Sequence, residues 1–89
     1  MRTLKTTTRF KRDLKLAQKR RLDIDRLWTV VEVLVRGDSL AARHRPHRLT
    51  GDWARFWECH IAPDWLLIWE DDGASLTLVR TGTHADLFD

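Results

Sequence analysis

The sequence lacks the features that define several protein classes. It contains one cysteine, Cys59, so no disulfide can form within the chain, and a reducing compartment suits it. Its longest uninterrupted apolar run, residues 65–69, is five residues long, far below the ~20 that a membrane-spanning helix needs. No apolar stretch follows the basic N-terminus, so no secretory signal is expected. These absences favour a soluble, cytoplasmic protein that does not enter a membrane.

Linkers and repeats are absent as well. No stretch rich in glycine, proline or serine divides the chain, and no internal repeat is present. A chain of 89 residues has room for one hydrophobic core. An apolar share of 43% and five tryptophans provide the surface for that core, which a disordered chain lacks. The sequence therefore predicts a single domain over residues 1–89.

Acidic residues are scarce at the N-terminal end. Residues 1–21 hold nine Lys and Arg side chains and one acidic residue, Asp13, for a net charge of +8, whereas the rest of the chain sums to −5. A segment with so large an excess of positive charge favours a polyanionic partner such as RNA, a ribosomal surface or an acidic protein. A solvated basic helix face is the plainer alternative. The candidate contacts are Lys11, Lys15, Lys19 and Arg20.

Two helices are predicted in the N-terminal half, after a short first strand at residues 2–7. Thr8 stands at the N-cap position of the first helix. Its apolar residues recur at helical spacing: Phe10, Leu14 and Ala17. Asp23 is the expected cap of the second helix, and Gly37 its expected end. The apolar stripe of this second helix consists of Ile24, Leu27, Trp28, Val31, Leu34 and Val35.

The C-terminal half changes to the two-residue period of strands. Expected there are an edge segment at 47–49, strands at 53–61, 65–69 and 76–81, and a polar tail at 82–89. The fold class is therefore α+β, with an N-terminal strand and two helices before a three- to four-stranded antiparallel meander. Both helices are expected to cover one face of the sheet and to leave the other face open.

Side chains suited to proton transfer concentrate in this half. Strand alternation places Glu58 and His60 on one face, and the turn at Pro63 brings Asp64 near His60. If the strands pair as a meander, the end of the last strand delivers His84 to the same surface. Spacing alone does not select catalysis, because a histidine more commonly serves as a surface or hydrogen-bonded residue.

These side chains suit metal-independent cleavage of RNA through the 2′-hydroxyl. That reaction needs a base, an acid and positive charge for the phosphate, and histidine, with an unperturbed pKa of ~6.5, serves both proton-transfer roles. The available cations are Arg48, Arg55 and Arg80. Arg80 alternatively pairs with Glu58 or Asp71.

A zinc site is the other chemical interpretation of the histidines. His44, His47, Cys59 and His60 offer nitrogen and sulfur ligands of the kind that zinc accepts. Their spacing matches no pair of C-x-x-C knuckles, and neighbouring residues of a regular strand point to opposite faces. We therefore expect neither a metal nor another cofactor.

Four segments carry a resemblance to a known family. They are LAQKR at 16–20, HRLTGDW at 47–53, HIAPDWLLI at 60–68 and RTGTHADLF at 80–88. Together they resemble the YafQ-type toxins of the RelE/ParE superfamily of bacterial toxin–antitoxin systems. The resemblance runs over nearly the whole chain, and its Pro-Asp-Trp and Arg-Thr-Gly-Thr-His blocks are the most specific parts.

The resemblance implies an mRNA endoribonuclease that cuts codons on the translating ribosome and so inhibits translation. It implies a RelE-like fold and a cognate antitoxin of the DinJ-like, ribbon-helix-helix type, which binds an otherwise monomeric toxin in a hetero-oligomer. By motif position the catalytic set is His47, His60, Asp64 and His84. Phe88 supports the site or the substrate. His84 is favoured as the acid, and the base stays open between His47 and His60.

Two positions depart from the family pattern. Arg48 stands where a proline often follows the first histidine, and Glu58 where the family tends to have aspartate, which leaves the role of Glu58 in doubt. Two other functions remain open. One is a toxin of the same fold with another target, such as gyrase, which needs no histidine pair. The other is a non-catalytic basic RNA-binding module, which depends on Lys11, Lys15 and Lys19 instead.

Overall fold

The computed structural model describes residues 1–88; Asp89, the last residue of the expected domain and tail, lies outside the described residues. The helices and strands in chain order are β1 (Thr3–Thr6), α1 (Thr8–Lys19), α2 (Ile24–Arg36), β2 (His47–Arg48), β3 (Trp57–Ala62), β4 (Trp65–Asp71), β5 (Ser75–Gly82) and α3 (His84–Phe88). Short 3-10 turns at Ala42–His44 and Gly51–Trp53 flank β2. The α+β class is confirmed.

The five strands form one sheet in the order β1-β5-β4-β3-β2. Strands β2 to β5 pair antiparallel with their neighbours in the chain, which confirms the predicted meander in its four-stranded form. Strand β1 pairs with β5 in parallel and forms one edge of the sheet, while β2 forms the other. Among residues 1–88, no helix has the length and apolarity needed to cross a bilayer.

Both long helices contribute to the main hydrophobic core, as predicted. Phe10, Ala17, Leu27, Val30 and Val31 from the helices pack with buried residues of the sheet. The expected stripe of α2 needs one correction. Trp28 is 37% exposed, and Val30, absent from that stripe, is buried in its place. The indole of Trp28 lies at the flank of the helix, where it meets the ring of Phe10 edge-on at 6.4 Å.

The first helix is capped one residue earlier than predicted. Thr7, not Thr8, is the N-cap, because its backbone is still extended (φ −85°, ψ 160°) where Thr8 is already helical. Its Oγ1 accepts the N–H of Phe10 at 2.9 Å and donates to the carbonyl of Val79 at 2.8 Å. One hydroxyl therefore both begins α1 and ties it to β5. Asp23 occupies the expected cap position of α2, but its side chain makes no capping hydrogen bond.

The second sheet face is less open than predicted. Leu66 and Ile68 of β4 are buried under Leu87 of α3, and Trp53 and Phe56 pack beside them. The expected polar tail is therefore partly the helix α3. Its first turn is held by Thr83 and Asp86, since the Asp86 N–H donates to Thr83 Oγ1 at 3.1 Å and the Thr83 N–H to Asp86 Oδ2 at 2.9 Å.

Strand β3 begins at Trp57 rather than at Trp53. The turn at Gly51–Trp53 starts with Gly51 in a left-handed conformation (φ 65°), and the N–H of Phe56 donates back to the carbonyl of Trp53 at 2.9 Å. The rings of Trp53 and Phe56 then lie 5.6 Å apart. Residues 53–56 were predicted to be strand, but they form a turn in which these two aromatic rings pack together.

The two neighbouring threonines make a matched test of the cap. We expect Thr7→Ala to lower the free energy of unfolding by about 1–2 kcal/mol, because it removes the cap and the hydrogen bond to Val79. Thr8→Ala, on an exposed position, is expected to change it by less than about 0.5 kcal/mol. Urea denaturation of both variants measures the difference. Equal effects, or a larger one at Thr8, would contradict the cap assignment.

Candidate active site

Three of the four histidine and aspartate residues expected to be catalytic meet at one end of the sheet. Asp64 lies in the turn between β3 and β4, and His84 is the first residue of α3. The Nδ1 of His84 lies 2.9 Å from Asp64 Oδ1, and the His84 backbone N–H donates to the same oxygen at 3.1 Å. The ring of His60, on β3, lies 5.9 Å from the ring of His84. The predicted convergence of these three residues is therefore present in the structure.

The hydrogen bond with Asp64 determines which way His84 presents its ring. An ionised carboxylate only accepts hydrogen bonds, so His84 Nδ1 carries the proton and Nε2 is left for another group. The hydrogen bond from the His84 side chain, followed by that from its backbone N–H, lowers the pKa of Asp64 below its usual value. Asp64 is therefore a carboxylate at neutral pH and holds the imidazole in one tautomer.

His47 lies on the same face of the sheet at its β2 edge. It is paired with Glu58 in register, and its Nε2 lies 3.4 Å from Glu58 Oε1, while its Nδ1 donates to the Arg45 carbonyl at 2.8 Å. Glu58 is 5% exposed, and its Oε2 has no hydrogen-bond partner within residues 1–88. The carboxylate whose role the sequence left in doubt thus lies two residues from His60 and in contact with His47.

The three expected cations each have a partner within the protein. Arg80 is bound by Asp13 of α1 through hydrogen bonds of 2.7 and 3.1 Å, not by Glu58 or Asp71, and its side chain is 15% exposed. The register pairs Arg80 with Ile68, on the face that carries the histidines. Asp13 also accepts the Thr81 N–H at 3.2 Å. It therefore binds a backbone group of β5 that lies beyond the residues paired with β1.

Arg48 and Arg55 each contact an aromatic ring. Arg48 is paired with Trp57, on the face opposite to His47, and its guanidinium lies 5.6 Å from that indole ring. Arg55 lies above the ring of Phe56 at 4.8 Å, and its Nε is 3.3 Å from Glu70. Both side chains therefore sit on aromatic surfaces at the β2 and β3 end of the sheet.

The position of His84 depends on how α3 is held. Arg20, at the end of α1, binds Asp86 through hydrogen bonds of 2.6 and 3.2 Å. The interaction with Arg20, followed by the hydrogen bond from the Thr83 N–H, lowers the pKa of Asp86 far below its usual value. A Cβ on Gly82 would lie 2.9 Å from Asp86 Oδ2, so the turn requires glycine there. Arg20, expected to contact RNA or antitoxin, makes this intramolecular ion pair while its side chain stays 41% exposed.

The other members of the expected α3 and α1 surfaces are accessible. Phe88 is 45% exposed, and its ring meets that of Trp53 edge-on at 6.1 Å. Lys11, Lys15 and Lys19 are exposed on α1. The three lysines therefore contribute outward charge to this helix, together with the exposed Arg9 and Arg12.

The residues considered for zinc do not form a ligand set. No group of three or more His, Cys, Asp or Glu side chains in residues 1–88 is placed to hold a metal ion. Burial, followed by the charge of Glu58, raises the pKa of Cys59 to about 12, whereas a zinc ligand is a thiolate. The Nδ1 of His44 contacts the His60 carbonyl at 2.7 Å. Cys59 and His44 are thus occupied by structural roles.

The fold matches solved toxin structures. One chain of the E. coli DinJ–YafQ complex superposes with a TM-score of 0.94 at 36% identity, and the match covers 100% of both chains. YafQ from E. coli strain BL21(DE3) gives a TM-score of 0.95 at 34% identity, again over 100% of both chains. The mRNA interferase toxin YafQ of E. coli K12 is 36% identical over 88 residues, 98% of this chain and 96% of that protein.

The fold and the site therefore define a small bacterial toxin domain. A family model described as "Bacterial toxin of type II toxin-antitoxin system, YafQ" matches residues 2–89. The chain belongs to the YafQ family, which confirms the resemblance inferred from its four sequence segments.

The anchoring of α3 is testable by hydrogen exchange at Leu87, whose N–H donates to the Thr83 carbonyl at 3.1 Å. We expect Asp86→Ala to lower the protection of this amide at least tenfold, because the variant removes both the turn and the ion pair with Arg20. Asp72→Ala is the matched control, since the Asp72 carboxylate also accepts backbone N–H groups but lies in the β4–β5 turn. Equal protection in the two variants would contradict the anchoring role.

The interactions of the Asp86 carboxylate with Arg20 and the Thr83 N–H have a defined pH dependence. Because the pKa of Asp86 is lower in the folded state, its contribution is complete above the unfolded value of ~3.9 and is lost as the pH falls toward the folded value. Protection of the Leu87 amide, corrected for intrinsic exchange, is therefore expected to stay constant from pH 7 to about pH 5. A loss of protection centred near pH 6 would point to a histidine instead.

Proposed function

We propose that this chain is an mRNA-cleaving endoribonuclease toxin of a type II toxin–antitoxin system, which inhibits translation in the cytoplasm. Its membership of the YafQ family and its full-length likeness to a protein named mRNA interferase toxin YafQ support this function. The observation that carries the chemistry is the cluster of His60, Asp64 and His84, in which two imidazole rings lie 5.9 Å apart. At that separation both rings can contact one phosphodiester group.

The proposed reaction is a transesterification within the RNA. The base takes the proton of a 2′-hydroxyl, whose oxygen forms a bond to the phosphorus as the bond to the 5′-oxygen breaks. The acid gives a proton to that 5′-oxygen, so the products are a 2′,3′-cyclic phosphate and a 5′-hydroxyl. Each well-placed proton-transfer group typically contributes ~10²–10⁴-fold. No metal is required by this scheme.

In this proposal His84 is the acid and His60 the base. Asp64, 2.9 Å from His84 Nδ1, orients that ring so that Nε2 faces the leaving oxygen and donates to it. His47 contacts the phosphate from the β2 edge, in line with its position beside Glu58. Arg80 supplies positive charge on the same face. Phe88, exposed beside the site, packs against a base of the RNA.

We also propose how the chain meets its partners. Structural neighbours are DinJ–YafQ complexes, which supports a cognate antitoxin of the DinJ type for this chain. The exposed Lys11, Lys15 and Lys19 on α1 suit either ribosomal RNA or an acidic antitoxin segment. An antitoxin on that surface would compete with the ribosome. The free toxin is expected to be a monomer and the neutralised form a hetero-oligomer.

Substitution of the two histidines tests the function. We expect His60→Gln and His84→Gln each to slow mRNA cleavage at least 10²-fold in a reconstituted translation reaction, with little change in thermal stability. Asp64→Asn is expected to act in the same direction. Asp52→Asn, another exposed aspartate in a turn, is the control that keeps full activity.

The same experiment separates the alternatives. Full cleavage in both histidine variants would remove the catalytic assignment. A toxin that arrests growth with DNA damage and intact mRNA would instead be a gyrase-type poison. A non-catalytic RNA-binding module predicts that the histidine variants keep full function, while charge reversal at Lys11, Lys15 and Lys19 abolishes it.

A further inference from the structure

A second concave surface, which we name the arginine cleft, lies next to the candidate active site. It has a volume of about 360 Å³ and is lined by Arg26, Arg43, His44, Arg45, His60 and residues 61–63. Among residues 1–88, its lining includes three arginines and two histidines but no acidic residue. Such a composition favours an anionic ligand, and the volume is at the lower end of the ~300–1,000 Å³ typical of small-ligand sites.

The walls of the cleft are held to the sheet by backbone contacts. Arg26 of α2 donates from Nη2 to the Ile61 carbonyl at 3.1 Å, and His44 of the 3-10 turn contacts the His60 carbonyl at 2.7 Å. The backbone of Arg45, the next residue, is in a left-handed conformation (φ 46°), which residues other than glycine rarely adopt. Residues kept in such conformations cluster at functional sites. The cleft is therefore a built feature and not a gap between loosely packed loops.

The charge of the cleft is not neutralised inside the protein. Arg43 and Arg45 are exposed, and within residues 1–88 neither makes an ion pair. By contrast, Arg2, Arg20 and Arg80 each bind an aspartate. Grouped guanidinium ions repel one another until an anion binds between them, and their planar donors match a phosphate in two-point contacts.

We infer that the arginine cleft binds the phosphodiester group of the RNA nucleotide next to the cleavage position. This inference rests on the proposed function, because the cleft and the candidate active site share His60. An RNA strand whose reacting phosphate contacts His60 and His84 passes its neighbouring phosphate along the wall formed by Arg43 and Arg45. The cleft thus contributes binding energy at a phosphate that does not itself react.

Size argues for a single RNA strand over a protein helix. A helix with its side chains is ~10–12 Å across, too wide for a cleft of about 360 Å³ to enclose. The cleft is also separate from the exposed lysines of α1, since its lining residues come from α2, the segment before β2, β3 and the turn after β3. The same segment also contacts His47 of β2, whose Nδ1 donates to the Arg45 backbone carbonyl at 2.8 Å. A change of the Arg45 side chain leaves that backbone hydrogen bond in place.

The first test measures binding of a fluorescein-labelled, fully 2′-O-methylated RNA decamer, which the protein cannot cleave through a 2′-hydroxyl. We expect Arg43→Gln/Arg45→Gln to weaken binding at least fivefold at about 0.1 M salt. We also expect the slope of log Kd against log salt to fall by ~0.7 for each phosphate that the variant no longer neutralises. Arg36→Gln is the matched control, because Arg36 lies ten residues from Arg26 on α2 and pairs with Glu32. Thermal melting confirms that all variants fold.

The second test measures cleavage of ribosome-bound mRNA by the same variants. Removal of a group that binds the strand at a phosphate that does not react is expected to raise KM at least fivefold and to change kcat less than twofold. Wild-type affinity and salt slope in the double variant would overturn the inference, as would an equal loss of affinity in Arg36→Gln. Normal RNA binding with a weakened antitoxin complex would overturn it too, because the cleft would then be a protein-binding surface. If the wild-type protein cleaves no RNA, the proposed function fails, whereas the decamer still reports on the cleft.

Discussion

The attachment of α3 to the rest of the fold is the interaction on which the candidate site depends. His84 has no strand to hold it, since β5 ends at Gly82 and only five residues of helix follow. Two interactions compensate for that short length. Leu87 is buried on Leu66 and Ile68, and Asp86 is bound by Arg20 from the end of α1. Because helices this short are unstable alone, these tertiary interactions decide where the imidazole lies.

Much of this arrangement follows from local patterns. The alternation in β3 correctly places Glu58 and His60 on one face, where they pair with Ile68 and Leu66 of β4. The expected turn at residues 62–64 is present between β3 and β4; Asp64, predicted to come near His60, lies in it and contacts His84. Both predictions hold because a strand has a fixed period of two and a tight turn joins chain neighbours. Neither depends on residues far away in the sequence.

The features that sequence reasoning missed depend on distant partners. Arg80 binds Asp13, 67 residues earlier, and the β1–β5 pairing is parallel and joins the two ends of the chain. Nothing in the alternation of β5 indicates either interaction. The charge of residues 1–21 shows the same effect, because Arg2 and Arg20 pair with aspartates of the C-terminal half. A net charge counted by segment therefore overstates the free positive charge of the N-terminus. It also does not predict the cleft lined by Arg43 and Arg45.

The partners of the three imidazoles differ, and the difference supports the proposed roles. Within residues 1–88, His84 and His47 each have a carboxylate partner, at 2.9 and 3.4 Å, whereas the neighbour of the His60 ring is another imidazole. A carboxylate on one ring nitrogen fixes the orientation of the imidazole and directs its other nitrogen at the leaving oxygen, so His84 suits the donor role and the acceptor role falls to His60. The burial of Glu58 also indicates a role in chemistry. Within residues 1–88 its buried Oε2 has no hydrogen-bond partner, which costs about 1–3 kcal/mol, although its Oε1 lies beside His47. Such a cost is expected where a side chain is retained for chemistry instead of stability.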